Sequence, residues 1–133
     1  MSDIPPKKQR VLLIDDDQFL LNMYSLKFTN SGFEVETATS AVSALQKLRD
    51  GLVPDVLLCD LVMPTMDGLE FIKQVKEERL APSSAFVVLT NQGQQGEIER
   101  AKELGVDGYI VKASTIPSEV VEEVKTILAK KLK

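Results

Sequence analysis

The chain has 133 residues, a length that suits one globular domain, and its 44% hydrophobic and 27% charged content is ordinary for a folded protein. A net charge of −4 argues against broad affinity for nucleic acids or membranes, and no apolar run reaches the length of a signal peptide before Asp15 or of a membrane span anywhere. The absence of histidine excludes Ser-His-Asp and Cys-His catalysis and histidine-ligated zinc, and the single cysteine, Cys59, excludes an internal disulfide.

Short apolar runs alternate with amphipathic segments along the chain. Residues 1–9 contain Pro5-Pro6, which oppose both helix and strand, so we expect a flexible lead-in followed by one domain over residues 10–133. The strand-like runs and the helical spacing of apolar residues predict ten elements. In chain order these are strand Val11–Ile14, helix Gln18–Asn30, strand Phe33–Ala38, helix Ala41–Asp50, strand Val56–Cys59, helix Leu69–Arg79, strand Ala85–Leu89, helix Gly96–Leu104, strand Gly108–Val111 and helix Pro117–Leu132.

Each predicted helix has one apolar face. Ser40 is expected to cap the second helix and Gly51 to end it. The inward face of the first helix is predicted to hold Leu20, Met23, Tyr24 and Phe28. That of the last helix is predicted to hold Val120, Val121, Val124, Ile127 and Leu128.

Five strands that alternate with five helices predict an α/β fold with a parallel sheet covered on both faces, a three-layer sandwich. The runs VLLI, VLLC and FVVL are almost wholly apolar, as expected for strands buried on both sides. The predicted strand order is 2-1-3-4-5, which puts the switch point between the first and third strands. Ligands bind at the carboxyl ends of the strands in such sheets.

Carboxylates follow two of these strands, at the expected switch point. Asp15, Asp16 and Asp17 follow the first strand, and Asp60 follows the third. Neighbouring carboxylates repel one another, and a hard divalent cation such as Mg²⁺ removes that cost. The alternative is that Asp16 or Asp17 only caps the next helix. We favour a metal site for Asp15, Asp16 and Asp60, and a capping role for Asp17.

Further polar groups follow the fourth and fifth strands. Asp60 is a candidate nucleophile, since aspartyl phosphate is a known covalent intermediate. Thr90 and Lys112 would supply a hydroxyl and a cation to phosphoryl oxygens. Taken singly, Thr90 could be a buried hydroxyl bonded to the backbone, and Lys112 a solvated lysine. Cys59 is expected to be a packing residue.

The segments VLLIDDD, DLVMPTMDGLEF, VVLT and GYIVK occur in this order and at characteristic spacing. With them the chain resembles the receiver domain of bacterial two-component response regulators, of the stand-alone CheY-like kind, over about residues 10–132. The resemblance implies a flavodoxin-like (βα)5 fold. It also implies Mg²⁺ held by Asp15, Asp16, Asp60 and the backbone carbonyl of Val62.

The resemblance further implies a signalling role. Asp60 would accept a phosphoryl group from a sensor histidine kinase or phosphotransfer protein, Thr90 and Lys112 would bind the phosphoryl oxygens, and Tyr109 would be the switch aromatic. Output would pass through the fourth helix, fifth strand and fifth helix to a protein target. We expect no enzymatic activity beyond self-phosphorylation and self-dephosphorylation, no nucleic-acid or membrane binding, and a cytoplasmic monomer or weak homodimer.

The sequence departs from the family pattern near two site residues. Ala113 follows Lys112 where the family usually has proline, and we expect a rearranged loop over residues 112–116. Asn91 follows Thr90 where a small residue is usual. Gln92, like Val62, stands at a position that tunes phosphoryl lifetime in the family.

Alternative functions differ in class. The chain could be an interaction module that keeps the fold without phosphorylation, or a receiver cut from a longer regulator. A Mg²⁺-dependent phosphohydrolase is disfavoured, because such enzymes usually carry a second acid two residues after the nucleophile, where this chain has Val62. A flavin site is disfavoured because the acidic DDDQ loop would repel the FMN phosphate.

The apolar side chain of Val62 cannot position an attacking water, so we predict slow loss of phosphate from phosphorylated Asp60. Val62→Asn supplies a polar side chain and should speed hydrolysis. The rate can be followed as the decay of the phosphorylated mass after the phosphodonor is removed. A hydrolysis rate that falls on Val62→Asn would contradict this interpretation.

Overall fold

A computed structural model describes residues 8–90, 95–112 and 115–131. Asn91, Gln92 and Ala113, on which three expectations rest, lie outside these residues, as does most of the lead-in. In chain order, the elements are β1 (Arg10–Ile14), α1 (Gln18–Asn30), β2 (Glu34–Ala38), α2 (Ala41–Arg49), β3 (Val56–Asp60), α3 (Gly68–Glu77), β4 (Ala85–Thr90), α4 (Gln95–Glu103), β5 (Gly108–Val111) and α5 (Pro117–Lys131).

The five strands form one parallel sheet in the order β2-β1-β3-β4-β5, which confirms the predicted topology. In register, Ile14 pairs with Cys59, Asp60 with Leu89, and Thr90 with Val111. The carboxyl ends of β1, β3, β4 and β5 therefore meet at one edge. The polar residues predicted to form a site all lie at that edge.

The sheet separates two apolar clusters, because successive side chains of a strand point to opposite faces. One cluster, here the α1/α5 cluster, joins the inward faces of α1 and α5 to alternate strand residues that include Leu13, Leu58 and Ile110. The other, here the α2–α4 cluster, joins α2, α3 and α4 to the remaining strand residues, including Cys59 and Val88. This arrangement is the expected three-layer sandwich, and Cys59 packs in the core as predicted.

Several predicted boundaries and faces need correction. β3 and β4 extend to Asp60 and Thr90, because polar residues at strand ends still join the ladder. β2 starts one residue late, at Glu34, and α3 starts early, at Gly68. α2 ends at Arg49, α3 ends at Glu77 and α4 runs over Gln95–Glu103. α5 is described as far as Lys131, and its predicted end at Leu132 lies outside the described residues. On α1, the fully buried Leu21 was not among the predicted inward residues. Leu20 and Met23 on α1 and Ile127 on α5 are partly buried and pack against the α1/α5 cluster, which confirms their inward placement.

Side-chain caps fix the starts of three helices. Asp17 accepts hydrogen bonds from the backbone N–H groups of Phe19 and Leu20, so it has the predicted capping role. Ser40 caps α2 as predicted. Asp67 and Glu70 form a capping box at α3. Among the described residues, no helix is long and apolar enough to cross a bilayer.

The end of α3 contains a strained residue. Arg79 has a φ of 54°, and the N–H groups of Arg79 and Leu80 donate to the carbonyls of Lys76 and Val75 in the pattern that usually places glycine at this position. A side chain makes the left-handed conformation costly by about 1–2 kcal/mol. Glycine relieves that cost but loses more backbone entropy on folding.

We therefore predict that Arg79→Gly raises the free energy of unfolding by about 0.5–1 kcal/mol. Urea denaturation monitored by circular dichroism measures the change. Gly51→Ala is the matched control at the end of α2, where φ is 108°, and it should lower the free energy of unfolding by a similar or larger amount. If Arg79→Gly instead lowers the free energy of unfolding, the stabilising contacts of the arginine side chain outweigh the strain of its left-handed backbone conformation.

Candidate functional site

A cleft of about 490 Å³ opens at the carboxyl edge of the sheet. It lies where four strand ends meet, as the topology requires. The lining residues are Asp15, Asp16, Asp17, Leu20, Asp60, Val62, Thr90 and Lys112. Every predicted phosphoryl-transfer and metal residue is therefore at the cleft, and Tyr109 is the one predicted site residue that does not line it.

Three carboxylates converge in the cleft. One oxygen from each of Asp15, Asp16 and Asp60 lies within 4.8 Å of the others. Two oxygens on opposite sides of one Mg²⁺ are about 4.2 Å apart, since each lies about 2.1 Å from the ion. The distances between the three carboxylate oxygens need to shorten only slightly for the acids to share such an ion. Carboxylate oxygens are also the ligands that Mg²⁺ prefers. The chemistry and spacing of this donor set thus fit Mg²⁺.

Lys112 joins the carboxylates. Its Nζ donates to Asp15 Oδ2 at 2.7 Å and lies 3.6 Å from Asp60 Oδ2, and all three side chains are at least nine-tenths buried. Burial alone would lower the pKa of Lys112, but the hydrogen bond to Asp15 and the charges of Asp60 and Asp15 outweigh it and leave the pKa above its usual value. Lys112 is therefore a permanent cation held between two acids.

The environment of Asp60 disfavours its ionised form. Burial raises its pKa from 3.8 to about 6, and the charges of Asp15 and Asp16 act in the same direction. Lys112 and a 3.4 Å hydrogen bond from the Val62 N–H oppose this rise in pKa. At neutral pH Asp60 is mostly ionised, and its raised pKa shows that neighbouring groups stabilise this negative charge poorly. A bound cation or a covalent bond at the carboxylate would reduce this unfavourable charge.

The loop after Asp60 is held close to β3. The Gly68 N–H donates to the Leu61 carbonyl at 2.9 Å, and a Cβ on Gly68 would lie 2.3 Å from the Asp60 carbonyl oxygen. Only glycine permits this approach. Together with the capping box at Asp67, this contact fixes where the Val62 carbonyl and the start of α3 lie relative to Asp60.

Thr90 and Tyr109 lie on the same face of the sheet. Thr90 is buried at the end of β4, paired with Val111, and Tyr109 is two residues earlier on β5. The Tyr109 ring packs against the α2–α4 cluster and stays partly exposed. Burial and then the charge of Glu97 on α4 raise the pKa of Tyr109. Its hydroxyl is therefore electrostatically coupled to α4.

One residue near the site has a position that sequence analysis missed. Tyr24 was predicted only as an inward-facing residue of α1, yet its hydroxyl is electrostatically coupled to Lys112, Asp15 and Asp60. Helical periodicity places Tyr24 on the buried face of α1, but it does not predict how far Tyr24 lies from the carboxyl edge of the sheet. No sequence pattern could have revealed this electrostatic coupling.

Comparison with known proteins gives a consistent result. Residues 11–125 match the family model of the response regulator receiver domain. The chemotaxis protein CheY of Thermotoga maritima is 33% identical over 120 residues, which are 90% of this chain and 97% of CheY. The phosphate regulon transcriptional regulatory protein PhoB of Escherichia coli is 30% identical over 120 residues, 90% of this chain but only 52% of PhoB. The chain thus spans about half the length of such longer relatives.

Comparison with solved structures also finds similarity to receiver domains. The crystal structure of a CheY-like response regulator receiver domain protein from Methanospirillum hungatei superposes with a TM-score of 0.86. The two chains are 25% identical, and the match covers 95% of this chain and 98% of the other.

The raised pKa of Asp60 generates a stability prediction. An acid with a higher pKa in the folded chain binds protons more tightly there, so its ionisation lowers the free energy of unfolding above a pH of about 6. This penalty fades as the pH falls from about 6 towards the ordinary value of 3.8. Without added metal, Asp60→Asn should raise the free energy of unfolding by about 1–3 kcal/mol near pH 8 and have little effect near pH 4.

Urea unfolding at several pH values measures this difference. Asp50→Asn is the control, because Asp50 is exposed and its replacement should leave the free energy of unfolding nearly unchanged. A loss of stability in Asp60→Asn near neutral pH would refute the prediction.

Proposed function

The chain belongs to the response regulator receiver domain family of two-component signalling, and from this premise we propose that Asp60 is phosphorylated by a partner kinase in a Mg²⁺-dependent reaction. The observation that carries the proposal is the convergence of Asp15, Asp16, Asp60 and Lys112 in one cleft. A site with an under-compensated nucleophile, a fixed cation and a divalent-metal donor set suits phosphoryl transfer.

Asp60 would act as the nucleophile in its ionised form. One of its carboxylate oxygens attacks the phosphorus atom of a phosphohistidine, a P–O bond forms, and the P–N bond breaks with its electron pair left on the imidazole, which can take up a proton from water. Because the pKa of Asp60 is about 6, most of the residue is ionised at neutral pH.

Other cleft residues would bind the transferred group. Asp15, Asp16, Asp60 and the Val62 backbone carbonyl would hold Mg²⁺, which when bound neutralises charge on the phosphoryl oxygens. Lys112 lies 3.6 Å from an Asp60 oxygen, close enough to reach a phosphoryl oxygen attached there. Thr90 lines the same cleft and would donate its hydroxyl to another.

The donor is proposed to be a protein, a sensor histidine kinase or a phosphotransfer protein. Val62 lines the cleft and is 70% exposed, and Phe19, which stands in sequence between the cleft residues Asp17 and Leu20, is 74% exposed. Exposed apolar groups beside a polar site are typical of a surface that another protein covers. These two side chains therefore support docking of a macromolecular donor over Asp60.

Output is proposed to pass through α4, β5 and α5 to a downstream protein. A phosphoryl group adds a charge of about −1.5 to −2, and Thr90 and Lys112 can meet it only by moving. Thr90 and Tyr109 share one face of the sheet, and Tyr109 is coupled to Glu97 on α4. Phosphorylation would thus bias the conformation of this surface.

We predict that incubation with Mg²⁺ and acetyl phosphate adds one phosphoryl mass to the intact protein. Asp60→Asn should remove this modification, and chelation of the metal should slow it strongly. Asp50→Asn, which leaves the cleft intact, is the matched control. The mass and its site are read by intact and peptide mass spectrometry.

The same assay separates the alternatives. An unchanged mass with acetyl phosphate, phosphoramidate and a phosphorylated histidine kinase would favour the interaction module without phosphorylation. Continuous release of phosphate from a free phosphoester would instead favour a phosphohydrolase.

A further inference from the structure

A small pocket lies at the amino edge of the sheet, opposite the cleft. Its lining includes Ser84, which directly precedes β4, together with Lys76 and Arg79 around the end of α3. Lys131, the last described residue of α5, lines it as well. Helices that connect parallel strands run back along the sheet, so their carboxyl ends reach this amino edge. None of the residues that line this pocket lines the cleft.

The pocket combines apolar and cationic groups. Its charged lining residues are Lys76, Arg79 and Lys131, and its described lining contains no acid. Buried Phe86 on β4 contributes to the apolar part. A single cation at the end of a helix is ordinary. Three cations around one apolar pocket are a local concentration of positive charge in a chain whose net charge is −4, and they favour an anionic ligand.

Acids close to these cations are already paired. Glu78, which precedes Arg79 in the chain, lies 2.6 Å from a guanidinium nitrogen of Arg49. Asp107 lies 3.2 Å from the Lys131 ammonium. Within the described part of the chain, Arg79 itself forms no ion pair. Its charge is therefore available to a carboxylate from another molecule.

Lys76 is held over the apolar part of the pocket. Its Nζ lies 4.5 Å from the centre of the Phe86 ring, a cation–π contact that restricts where the ammonium can lie. Among residues 8–90, 95–112 and 115–131, Lys76 has no acidic partner. The ring satisfies no acceptor of its own, so the ammonium can still donate hydrogen bonds to an anion.

The backbone strain at Arg79 is a second observation. Its φ of 54° is a conformation that glycine adopts more readily, yet this position holds a long cationic side chain that lines the pocket. Strained residues are concentrated at functional sites, where the side chain has a use other than stability. Binding of an anion is a use that the position of this guanidinium can serve.

The size of the pocket restricts the class of ligand. Its volume is about 120 Å³. Sites for drug-sized molecules and cofactors hold about 300–1,000 Å³, so a nucleotide or organic cofactor would not fit. A protein segment needs room for only one apolar side chain, and its carboxylates can reach the cations outside the pocket.

We propose that this pocket binds an acidic segment of a partner protein, whose carboxylates pair with Lys76 and Arg79 while one apolar side chain enters between α3 and β4. The proposal goes beyond phosphorylation and does not depend on Asp60, because no cleft residue takes part. Exposed ion pairs are weakened by salt, so the affinity should fall as the salt concentration rises.

The probe is a fluorescein-labelled peptide of alternating glutamate and leucine residues, and its binding to the full chain is measured by fluorescence anisotropy. Lys76→Gln and Arg79→Gly should each weaken binding by about three- to tenfold. Lys27→Gln is the matched control, since it removes an exposed cation of α1 that does not line the pocket, and it should leave the affinity unchanged. Amide chemical shifts should change around the pocket and not at the cleft.

Stability measurements separate binding from folding. Arg79→Gly is expected to be at least as stable as the wild type, so its loss of affinity would not come from unfolding. If that variant does not fold, Lys76→Gln supplies the same comparison, because Lys76 is exposed.

Several results would overturn the proposal. The first is an affinity for the peptide that neither variant lowers, or chemical-shift changes confined to the cleft. Equal affinity for a glutamate–serine peptide would show that no apolar side chain enters the pocket. Displacement of the peptide by an equal concentration of inorganic phosphate would indicate a simple anion site, and tighter binding of an oligothymidine would indicate a nucleic-acid site.

Discussion

The burial of neighbouring, mutually repelling carboxylates at one sheet edge is the constraint on which this molecule depends. Burial and the neighbouring acids raise the pKa of Asp60 to about 6, and Lys112 compensates only in part, because its hydrogen bond goes to Asp15. The folded chain therefore carries an electrostatic cost in its resting form. That cost is what a divalent cation or a phosphoryl group can relieve, so the instability of the site and its reactivity have the same origin.

The parallel sheet makes this concentration of charge possible. Strand order 2-1-3-4-5 brings the ends of β1 and β3 side by side, and the alternation of side chains sends Asp15, Asp60 and Lys112 towards the α1/α5 side. Thr90 ends β4 with the opposite parity, on the side of α4 and Tyr109. The cleft is therefore bounded by residues from both faces of the sheet, so charge added at Asp60 can act on groups that belong to either helical layer.

Much of this architecture could be read from the sequence. Unbroken apolar runs predicted the buried strands, and the residues that follow them predicted the cleft, because parallel strands end together. The inward face of α1 was less predictable, since Phe19, Leu20, Leu21 and Met23 are consecutive or nearly so and do not fix one phase of the helix. The pKa of Asp60 and the influence of the charged groups on the pKa of Tyr24 could not be predicted at all, because both depend on burial and distance in the folded chain.

The charges of the cleft also explain why the proposed phosphorylation of Asp60 would require a conformational response. Without phosphorylation, three carboxylates of the site share one lysine as their counter-charge. A phosphoryl group on Asp60 would replace the single negative charge of this carboxylate with a charge of about −1.5 to −2. Lys112 Nζ is hydrogen-bonded to Asp15 and lies 3.6 Å from Asp60, so the ammonium would have to shift to bond the new oxygens, and the Thr90 hydroxyl would have to be directed towards them. Lys112 lies on the α1/α5 side of the sheet and Thr90 lies on the side of Tyr109, so the two movements would act on opposite faces. A local change in charge at Asp60 would thereby act on the packing of both layers of helices.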